Sequence, residues 1–289
     1  MGMAHTHSTS TRHTTPHVAD SAVQAEILDL DAEVLAEYTT AIAAWLPLQT
    51  APREIIDLGA GTGAGTFTLL EHFPDAHVTA VDSSVDHLRR LRDKACTAGL
   101  LEQVDTIAAD LDAPDWPHLG TPDLMWASAS MHHMADPIRA LSKVYDALEP
   151  GGLFAVVELS GHPRFLPATA PAERPGLEDR CHAATAHFHA EHLPHRGADW
   201  APLLSAAGFT IEDARTFTVE IPATRTPAVG HYALAILRRL RHSVAGAIQV
   251  EDLAALDRLL DTADPNSLLR RDDLALRTER TVWAARRTS

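Results

Sequence analysis

One stretch near the start of the chain, residues 54–63, constrains the fold more than any other. It reads Glu-Ile-Ile-Asp-Leu-Gly-Ala-Gly-Thr-Gly, an apolar strand that runs directly into a glycine-rich turn. Glycine adopts backbone dihedrals that are closed to other residues, so the chain turns sharply here and a ligand can contact bare peptide. The amides at the start of the following helix also attract anionic groups. The stretch therefore predicts a cofactor site.

The glycines alone leave the class of cofactor open. Gly59, Gly61 and Ala64 match the G-x-G-x-x-G/A pattern of dinucleotide-binding folds, which is typical of nicotinamide oxidoreductases. The chain has no Ser/Tyr-x-x-x-Lys proton relay of the kind that many such enzymes use. The glycine pattern by itself is a weak signal, and the residues that follow it decide between cofactors.

Carboxylates recur at the ends of successive predicted strands. Asp57 lies within the first strand, Asp82 ends the second, and Asp110 follows the third. A Glu-Pro-Gly-Gly turn at residues 149–152 precedes the fifth strand. In this order the segment from about residue 53 to 161 resembles the class I S-adenosylmethionine (SAM) dependent methyltransferases, with their D-x-G-x-G-x-G motif.

The resemblance implies SAM as the cofactor and gives each carboxylate a role. Asp57 suits the ammonium group, Asp82 the two ribose hydroxyls, and Asp110 the adenine amino group. The alternatives are a strand-end turn residue for Asp82 and a helix or turn cap for Asp110. The residues expected to bind the cofactor are Asp57, Gly59, Ala60, Gly61, Thr62, Gly63, Asp82, Ser83, Ala109, Asp110, Leu111, Ala127 and Ser128.

Short apolar stretches alternate with helical patterns along residues 51–160. Strands are expected at residues 54–58, 77–81, 104–108, 124–129 and 153–159. Ser84 is expected to cap a helix that ends at Gly99, and Asp136 with Pro137 to start another. This alternation predicts an α/β fold with a doubly wound, mostly parallel sheet. The resemblance implies seven strands, a Rossmann-like methyltransferase fold, with helical insertions.

Beyond residue 160 the alternation stops. Residues 161–198 hold five prolines and predict a long, lid-like insertion with one helix near residues 178–191. Residues 199–289 are expected to complete the sheet, with a sixth strand around residues 217–221 and a seventh at 281–285. Two helices, near residues 231–242 and 251–262, separate these strands, whereas the family normally joins them by a much shorter turn.

The N-terminal fifty residues fall into two parts. Residues 1–20 are rich in Thr, Ser and His and are expected to form a disordered tail. Residues 21–50 carry apolar side chains at steps of three and four, which predicts one or two helices that cover the site and end at Pro47. This stripe, which is as compatible with a homodimer contact as with a cover, consists of Val23, Ile27, Leu30, Val34, Tyr38, Ile42 and Trp45.

Charge and cysteine content exclude several classes of partner. With 39 acidic and 24 basic residues the chain has a formal charge of -15, which repels nucleic acid and anionic membrane surfaces. No apolar run approaches the roughly 18 residues that a membrane helix needs. Cys96 and Cys181 cannot form a disulfide framework, so a cytoplasmic location is expected.

Two histidines are the candidates for catalysis. His132 and His133 directly follow the fourth strand, beside the expected position of the transferred methyl group. Methyl transfer needs a base only when the nucleophile carries a proton, so they are expected either to act as a base or to orient or line the pocket. No metal is expected, because no H-E-x-x-H pattern accompanies the later histidines, which are His182, His187, His189, His192 and His195.

These observations predict a SAM-dependent methyltransferase that acts on a small organic molecule, such as a metabolite or a secondary-metabolism intermediate. Two alternatives remain open at this point. One is a nicotinamide-dependent oxidoreductase on the same glycine turn. The other is a SAM-binding protein that catalyses a reaction other than methylation, because the fold does not fix the function.

Overall fold

A seven-stranded sheet forms the centre of the molecule. The computed structural model describes residues 16–288, without the side chains of residues 16–20 and 187–189. The strand order is β3-β2-β1-β4-β5-β7-β6, parallel from β3 to β5, with β7 antiparallel to both of its neighbours. The predicted doubly wound, mostly parallel sheet is confirmed. The strands are β1 (Glu54–Leu58), β2 (His77–Asp82), β3 (Val104–Ala108), β4 (Leu124–Ser128), β5 (Leu153–Leu159), β6 (Thr210–Pro222) and β7 (Ala275–Arg286).

Helices connect and cover the strands. They are α1 (Pro16–Trp45), α2 (Ala64–His72), α3 (Val85–Ala98), α4 (Pro137–Ala147), α5 (Leu177–His192), α6 (Ala201–Ala206), α7 (Ala228–Val244) and α8 (Val250–Leu260), with short 3-10 helices at Met131–His133 and Leu268–Arg270. The predicted caps are confirmed. Ser84 accepts a hydrogen bond from the His87 N–H, Gly99 ends α3 in the left-handed region, and Asp136 accepts one from the Arg139 N–H.

The two faces of the sheet carry separate cores, as the twofold periodicity of strands requires. Along β5, Leu153 and Ala155 face the core under α1, α2 and α3, whereas Phe154 and Val156 face the core under α4 and α6. All four side chains are fully buried. The near-continuous apolar character of the central strands follows from this burial on both faces.

A third core lies beside the part of β6 and β7 that extends past β5. Both strands are longer than the sequence predicts. β7 pairs with β5 only from Arg280 to Arg286, but it continues along β6 back to Ala275. Val219 and Leu276 on this extension pack with α1, α5, α7 and α8. The predicted bounds of both strands were too short, for different reasons. The missed part of β7 lies in this extension and packs against helices far away in sequence. The missed part of β6, residues 210–216, carries mostly exposed side chains and so has no apolar alternation.

The N-terminal helix is a single element. α1 begins at Pro16, so the last five residues of the expected tail are helical, and residues 1–15 lie outside the described part of the chain. Ile27, Val34 and Ile42 of the apolar stripe are buried against this same chain. The stripe therefore covers the molecule's own core, and the homodimer alternative gains no support from it.

Candidate functional site

The glycine turn at the end of β1 has the geometry that its sequence predicts. Gly59, Gly61 and Gly63 all have positive φ, at 69°, 55° and 99°. A Cβ on Gly59 would lie 2.4 Å from the Cβ of Ser130, so no other residue fits there without movement. The N–H groups of Gly59 and Ala60 both donate to the Val81 carbonyl, which fixes the turn against β2.

Asp57 lies under this turn and is almost completely buried, with 2% of its surface exposed. Its Oδ2 accepts a 2.7 Å hydrogen bond from the Thr66 hydroxyl in the first turn of α2. Burial raises the pKa of Asp57 to about 7, although hydrogen bonds from the Thr66 side chain and backbone oppose the shift. The carboxyl thus joins β1 to α2, and its charge at neutral pH depends on what binds beside it.

Asp82 at the end of β2 is held by backbone donors. Its Oδ2 accepts from the Gly61 N–H and its Oδ1 from the Ser84 N–H, both at 2.8 Å. Burial works against ionisation, but hydrogen bonds from His87, Ser84 and Gly61 lower the pKa of Asp82 below its ordinary value. Oδ2 keeps a second acceptor site, whereas the His87 Nδ1 lies 3.5 Å from Oδ1. An ionised Asp82 can thus take two hydroxyl groups when the second of them replaces the long contact with His87.

The end of β3 forms a tight turn. The Ala109 N–H donates to the Asp82 carbonyl at 3.1 Å, and Leu111 is buried in the core under α4. Asp110 is exposed, and its Oδ1 accepts from the Asp112 N–H at 2.9 Å. This is the turn-capping arrangement that the sequence left open as the alternative for Asp110. Ser83 is also exposed, next to Asp82.

The end of β4 faces the glycine turn. Ala127 is fully buried, Ser128 is partly buried, and Ala129 adopts a positive φ of 53°. Ser130 follows, and its hydroxyl donates to the Leu58 carbonyl at 2.8 Å. Ser130 was missed by the sequence analysis. Its role depends on a contact across 72 positions, which no local pattern reveals.

Helix α1 closes over the turn from outside. Leu28 reaches the space beside Gly61, where an added Cβ would lie 3.2 Å from the leucine Cδ1. Lys94 on α3 donates to Asp29 of α1 at 2.6 Å and to the Thr62 carbonyl at 3.0 Å. The predicted cover over the site is therefore linked to both the turn and α3.

His132 forms a buried pair with Glu158, and each side chain is only 2% exposed. The Glu158 Oε2 lies 2.7 Å from the imidazole Nδ1, and its Oε1 accepts from the backbone N–H of His132 at 3.1 Å. The carboxylate thus fixes the ring through Nδ1 and leaves Nε2 for another partner. Glu158 was also missed. The signal that could have found it is a lone charged residue in the otherwise apolar strand Leu153–Leu159.

His133 stacks against His132, with ring centroids 4.2 Å apart. Its side chain is exposed to solvent on one side and contacts protein on the other. Desolvation by these surroundings, followed by the charge of His132, lowers the pKa of His133 to about 4. His133 is therefore neutral near pH 7 and a weak proton acceptor.

Residues from four distant segments meet beyond this pair. Tyr232 on α7 donates to Asp31 on α1 at 2.6 Å, and Arg280 on β7 donates to the same carboxylate at 2.9 Å. Arg196, in the insertion, lies close enough to Arg280 and Glu158 to change their electrostatic environment. Tyr232 lies at the start of the inserted helix that the sequence predicts near residues 231–242, which makes it a candidate for the pocket. The sequence analysis did not single out Asp31, Arg196 or Arg280.

The remaining predicted histidines do not assemble into a metal site in the described structure. Within residues 16–288, apart from the side chains left undescribed, no group of three or more His, Cys, Asp or Glu residues is suitably arranged. His182 is buried and stacks on His162, with ring centroids 5.0 Å apart. The side chains of His187 and His189 lie outside the described residues.

The topology of the sheet decides between the two cofactor classes. Dinucleotide-binding sheets follow the order 3-2-1-4-5-6, whereas here an antiparallel β7 lies between β5 and β6. Residues 56–154 also match the family model described as a methyltransferase domain. The chain contains a class I SAM-dependent methyltransferase domain. SAM is accordingly the cosubstrate that the family implies.

Individual relatives agree with this family. The chain is 36% identical over 115 residues to a trans-aconitate 2-methyltransferase from Azoarcus sp. strain BH72, a match that covers 40% of this chain and 42% of the relative. The chain thus spans less than half the length of the curated relatives that it matches. The match does not extend over the rest of this chain.

Solved structures share the fold at low identity. A putative methyltransferase from Bacillus halodurans superposes with a TM-score of 0.56 at 16% identity, over 87% of this chain and 99% of that one. The (4+2)-cyclase SpnF superposes with a TM-score of 0.52 at 20% identity, over 87% of this chain and 80% of that one.

None of the helices in the described part of the chain has the length and apolarity to cross a bilayer.

The residues of the site fit SAM. Asp82 is ionised and can accept hydrogen bonds from a diol, and the turn at Gly59 and Gly61 has the left-handed backbone that close approach requires. Asp57 can neutralise an ammonium group beside the turn, and the first amides of α2 suit a carboxylate. These are the groups that SAM presents.

Proposed function

We propose that this protein transfers a methyl group from SAM to a small organic molecule. The proposal rests on two groups of residues at one edge of the sheet, one suited to binding the cofactor and one suited to acting as a base. The glycine turn and Asp82 end β1 and β2, while the His132–Glu158 pair stands at the ends of β4 and β5. Because β1 and β4 are adjacent, a cofactor site and a candidate base lie side by side.

The cofactor side of the proposal assigns a role to each predicted residue. Asp82 would hold the ribose hydroxyls, Asp57 the ammonium group, and the amides near residues 62–66 the carboxylate. The segment from Ala109 to Leu111, with Ser83, would border the adenine, and the segment from Ala127 to Ser128 the methionyl portion. When bound, SAM supplies a methyl group on a positively charged sulfur, which leaves as a neutral thioether.

On the acceptor side, His132 is the better candidate base of the two histidines. Its Nδ1 is held by a carboxylate that stabilises the imidazolium form, so Nε2 can take the proton that the nucleophile loses. His133 has its pKa lowered to about 4, which makes it a weak base. Glu158 is then a positioning residue that acts through His132.

The acceptor itself is proposed only as a class. The matched relative is a trans-aconitate 2-methyltransferase by name, which favours a small organic acceptor over a macromolecule. The formal charge of -15 supports the same choice, because it repels nucleic acid and anionic lipid surfaces. A cytoplasmic location is proposed on the cysteine content, since Cys96 and Cys181 are both free.

The direct test is a turnover assay with SAM labelled on its methyl group and a panel of small organic acids, amines and phenols. We expect one class of acceptor to gain the label while S-adenosylhomocysteine (SAH), the demethylated product, accumulates in equal amount. Conversion of an acceptor without transfer of label would favour the alternative of a SAM-binding protein with a different reaction. Failure to bind SAM or SAH at all would contradict both.

A further inference from the structure

We infer that the methyl acceptor carries an anionic oxygen group, a carboxylate or a phosphate, and that Arg196 binds it beside the His132–Glu158 pair. The inference rests on the proposed function, because it takes these two residues as the place where the acceptor reacts. It goes further by naming the charge of the acceptor and the residue that recognises it. Its evidence comes from outside the segment 56–154 that matches the family model.

Arg196 is a partly buried cation that lacks a counter-charge in the described structure. Its Nε is buried without a hydrogen-bond partner, and its Nη2 reaches only the Gly161 carbonyl at 3.4 Å. Among residues 16–288, no described carboxylate lies within ion-pair distance of it, as the recorded pairs show. A buried guanidinium without a partner is costly, so a ligand that completes its hydrogen bonds would bind with a clear gain.

Several arginines of the described structure pair with carboxylates, including Arg89, Arg164, Arg174, Arg225, Arg241 and Arg286. Others do not, but the partly buried ones among them, such as Arg139, Arg277 and Arg287, donate firmly to backbone carbonyls. Arg196 has only the 3.4 Å contact with the Gly161 carbonyl. Its guanidinium is thus poorly satisfied in the region where a small molecule is proposed to bind.

The charges around Arg196 leave a surplus of positive charge. Arg280 and Arg239 both act on it, and Arg239 donates to the neutral Gln24 at 2.6 Å, not to a carboxylate. Burial, followed by the charge of Arg280, lowers the pKa of Arg196. The two nearby carboxylates are already engaged, since Asp31 accepts from Arg280 and Glu158 from His132.

The excess positive charge around Arg196 lies next to the proposed reaction site. The Arg196 Nη2 lies 3.4 Å from the carbonyl of Gly161, three residues after Glu158, and an added Cβ on Gly197 would lie 3.6 Å from the Ser160 carbonyl oxygen. The guanidinium therefore stands at the end of β5 that carries Glu158, and the two charges act on each other. An anion held there would lie near the His132–Glu158 pair. A guanidinium forms two parallel hydrogen bonds with a carboxylate or a phosphate, which orients the ligand as well as binding it.

The test uses simple probes in place of the unknown acceptor. Succinate, glycerol 2-phosphate and the neutral succinamide are titrated by calorimetry into the full-length protein, both alone and saturated with SAH. We expect at least one of the two anions to bind and succinamide not to bind. The stronger of the two anions then identifies the group as carboxylate or phosphate.

Variants of Arg196 and a matched control make the result specific to this residue. Arg196→Gln should weaken binding of the anion about tenfold or more, because hydrogen bonds to a charged group are lost. Arg92→Gln removes the same charge from an exposed position on α3 and should leave binding unchanged. Arg196→Met should raise the Tm of the ligand-free protein, since an uncompensated cation is replaced by an apolar side chain.

Separate outcomes count against the inference and against the proposed function. The inference is overturned if neither anion binds, if succinamide binds as well as succinate, or if Arg196→Gln retains wild-type affinity. A rise in Tm for Arg196→Met shows that this variant folds, and Arg196→Lys, with the charge but without the planar fork, should give an intermediate affinity. Failure of SAH to bind is measured in the same experiments and overturns the proposed function instead.

Discussion

The two sides of the site are built in different ways. The cofactor side, residues 54–130, consists of strand ends and turns whose polar contacts span at most 72 positions, from Ser130 to Leu58. Those of Asp82 are shorter still, to the Ser84 N–H two positions away and the Gly61 N–H 21 positions away. The acceptor side comprises α1, residues 161–198, α7 and the extension of β6 and β7. There Tyr232 and Arg280 reach Asp31 across 201 and 249 positions.

The cofactor side depends on backbone geometry that the fold requires, whereas the acceptor side depends on side chains that are particular to this chain. Backbone amides and glycine dihedrals dominate the cofactor side, so the same peptide geometry can serve any acceptor. Side chains from four segments dominate the acceptor side, so the replacement of one of them changes the pocket without altering the sheet. His132 and Glu158 lie at the junction of the two, and the largest effects are expected there.

The strongest prediction concerns His132→Phe. Loss of the proposed base should reduce turnover by about 100- to 10,000-fold, while the affinity for SAH stays close to that of the wild type. The matched control is His133→Phe, which should retain most of the rate because the pKa of His133 is lowered to about 4. Steady-state kinetics and calorimetry on the same preparations measure both quantities. Equal losses in the two variants would show that the histidines line the pocket and that neither is the base.

The next prediction isolates the cofactor side. Asp82→Ala removes the acceptor for two ribose hydroxyls and should weaken binding of SAM on the order of a hundredfold or more. Asp86→Ala, an exposed position in the first turn of α3, serves as the control and should bind normally. Calorimetry with a Tm measurement distinguishes lost binding from lost folding. If a folded Asp82→Ala variant binds within threefold of the wild type, Asp82 is a turn residue only.

The variant Glu158→Gln tests whether Glu158 acts through His132. The amide cannot stabilise the imidazolium, so we expect turnover to fall about 10- to 100-fold with little change in the affinity for SAM. If Glu158 acts through His132, the double variant with His132→Phe should be no slower than His132→Phe alone. A further loss of rate in the double variant would contradict the role of Glu158 that we propose.

The pH dependence of cofactor binding tests Asp57. Burial raises the pKa of Asp57 to about 7, so the carboxyl is mostly protonated at pH 6 and mostly ionised well above pH 7. The ionised form attracts an ammonium group, and binding of SAM should therefore strengthen about tenfold as pH rises through this range. Calorimetry in two buffers of different ionisation enthalpy should record proton release near pH 6. Asp57→Asn should bind with the same affinity at both pH values, and persistence of the pH effect in this variant would place its origin elsewhere.

The smallest expected effect tests whether a change on α8, which packs in the third core, reaches the cofactor side. Asp252 on α8 is buried and accepts hydrogen bonds from Arg174 at 2.6 Å and from Arg180 at 2.8 Å. Asp252→Asn should lower Tm by a few degrees while leaving the affinity for SAM unchanged. Asp257→Asn breaks a more exposed pair with Arg241 and should change Tm very little. A loss of SAM affinity in Asp252→Asn would show that the third core supports the cofactor side after all.

The sequence predicts the cofactor side well because its signals are local. The five parallel strands, the caps at Ser84 and Asp136 and the left-handed glycines all follow from patterns within a few residues. The roles assigned to Asp57, Asp82 and Asp110 in cofactor binding stay predictions. In the structure Asp57 holds Thr66, and Asp110 caps its own turn.

The acceptor side was predicted less completely, for a physical reason. The helix expected near residues 178–191 is present as α5, but Phe165 and Cys181 around it are buried in the third core. The lid-like insertion is thus anchored over its first half, where movement would expose apolar surface. Proline content and length indicate a loop, but they do not report which side chains a distant helix will cover.

The measurement that tests the central claim most directly is calorimetric titration of the purified chain with SAH and, separately, with NAD. The claim is that the glycine turn serves SAM, because an antiparallel β7 accompanies it and residues 56–154 match a methyltransferase domain. We predict binding of SAH in the micromolar range, abolished or strongly weakened in Asp82→Ala, and no heat of binding with NAD. Binding of NAD without binding of SAH would contradict the account.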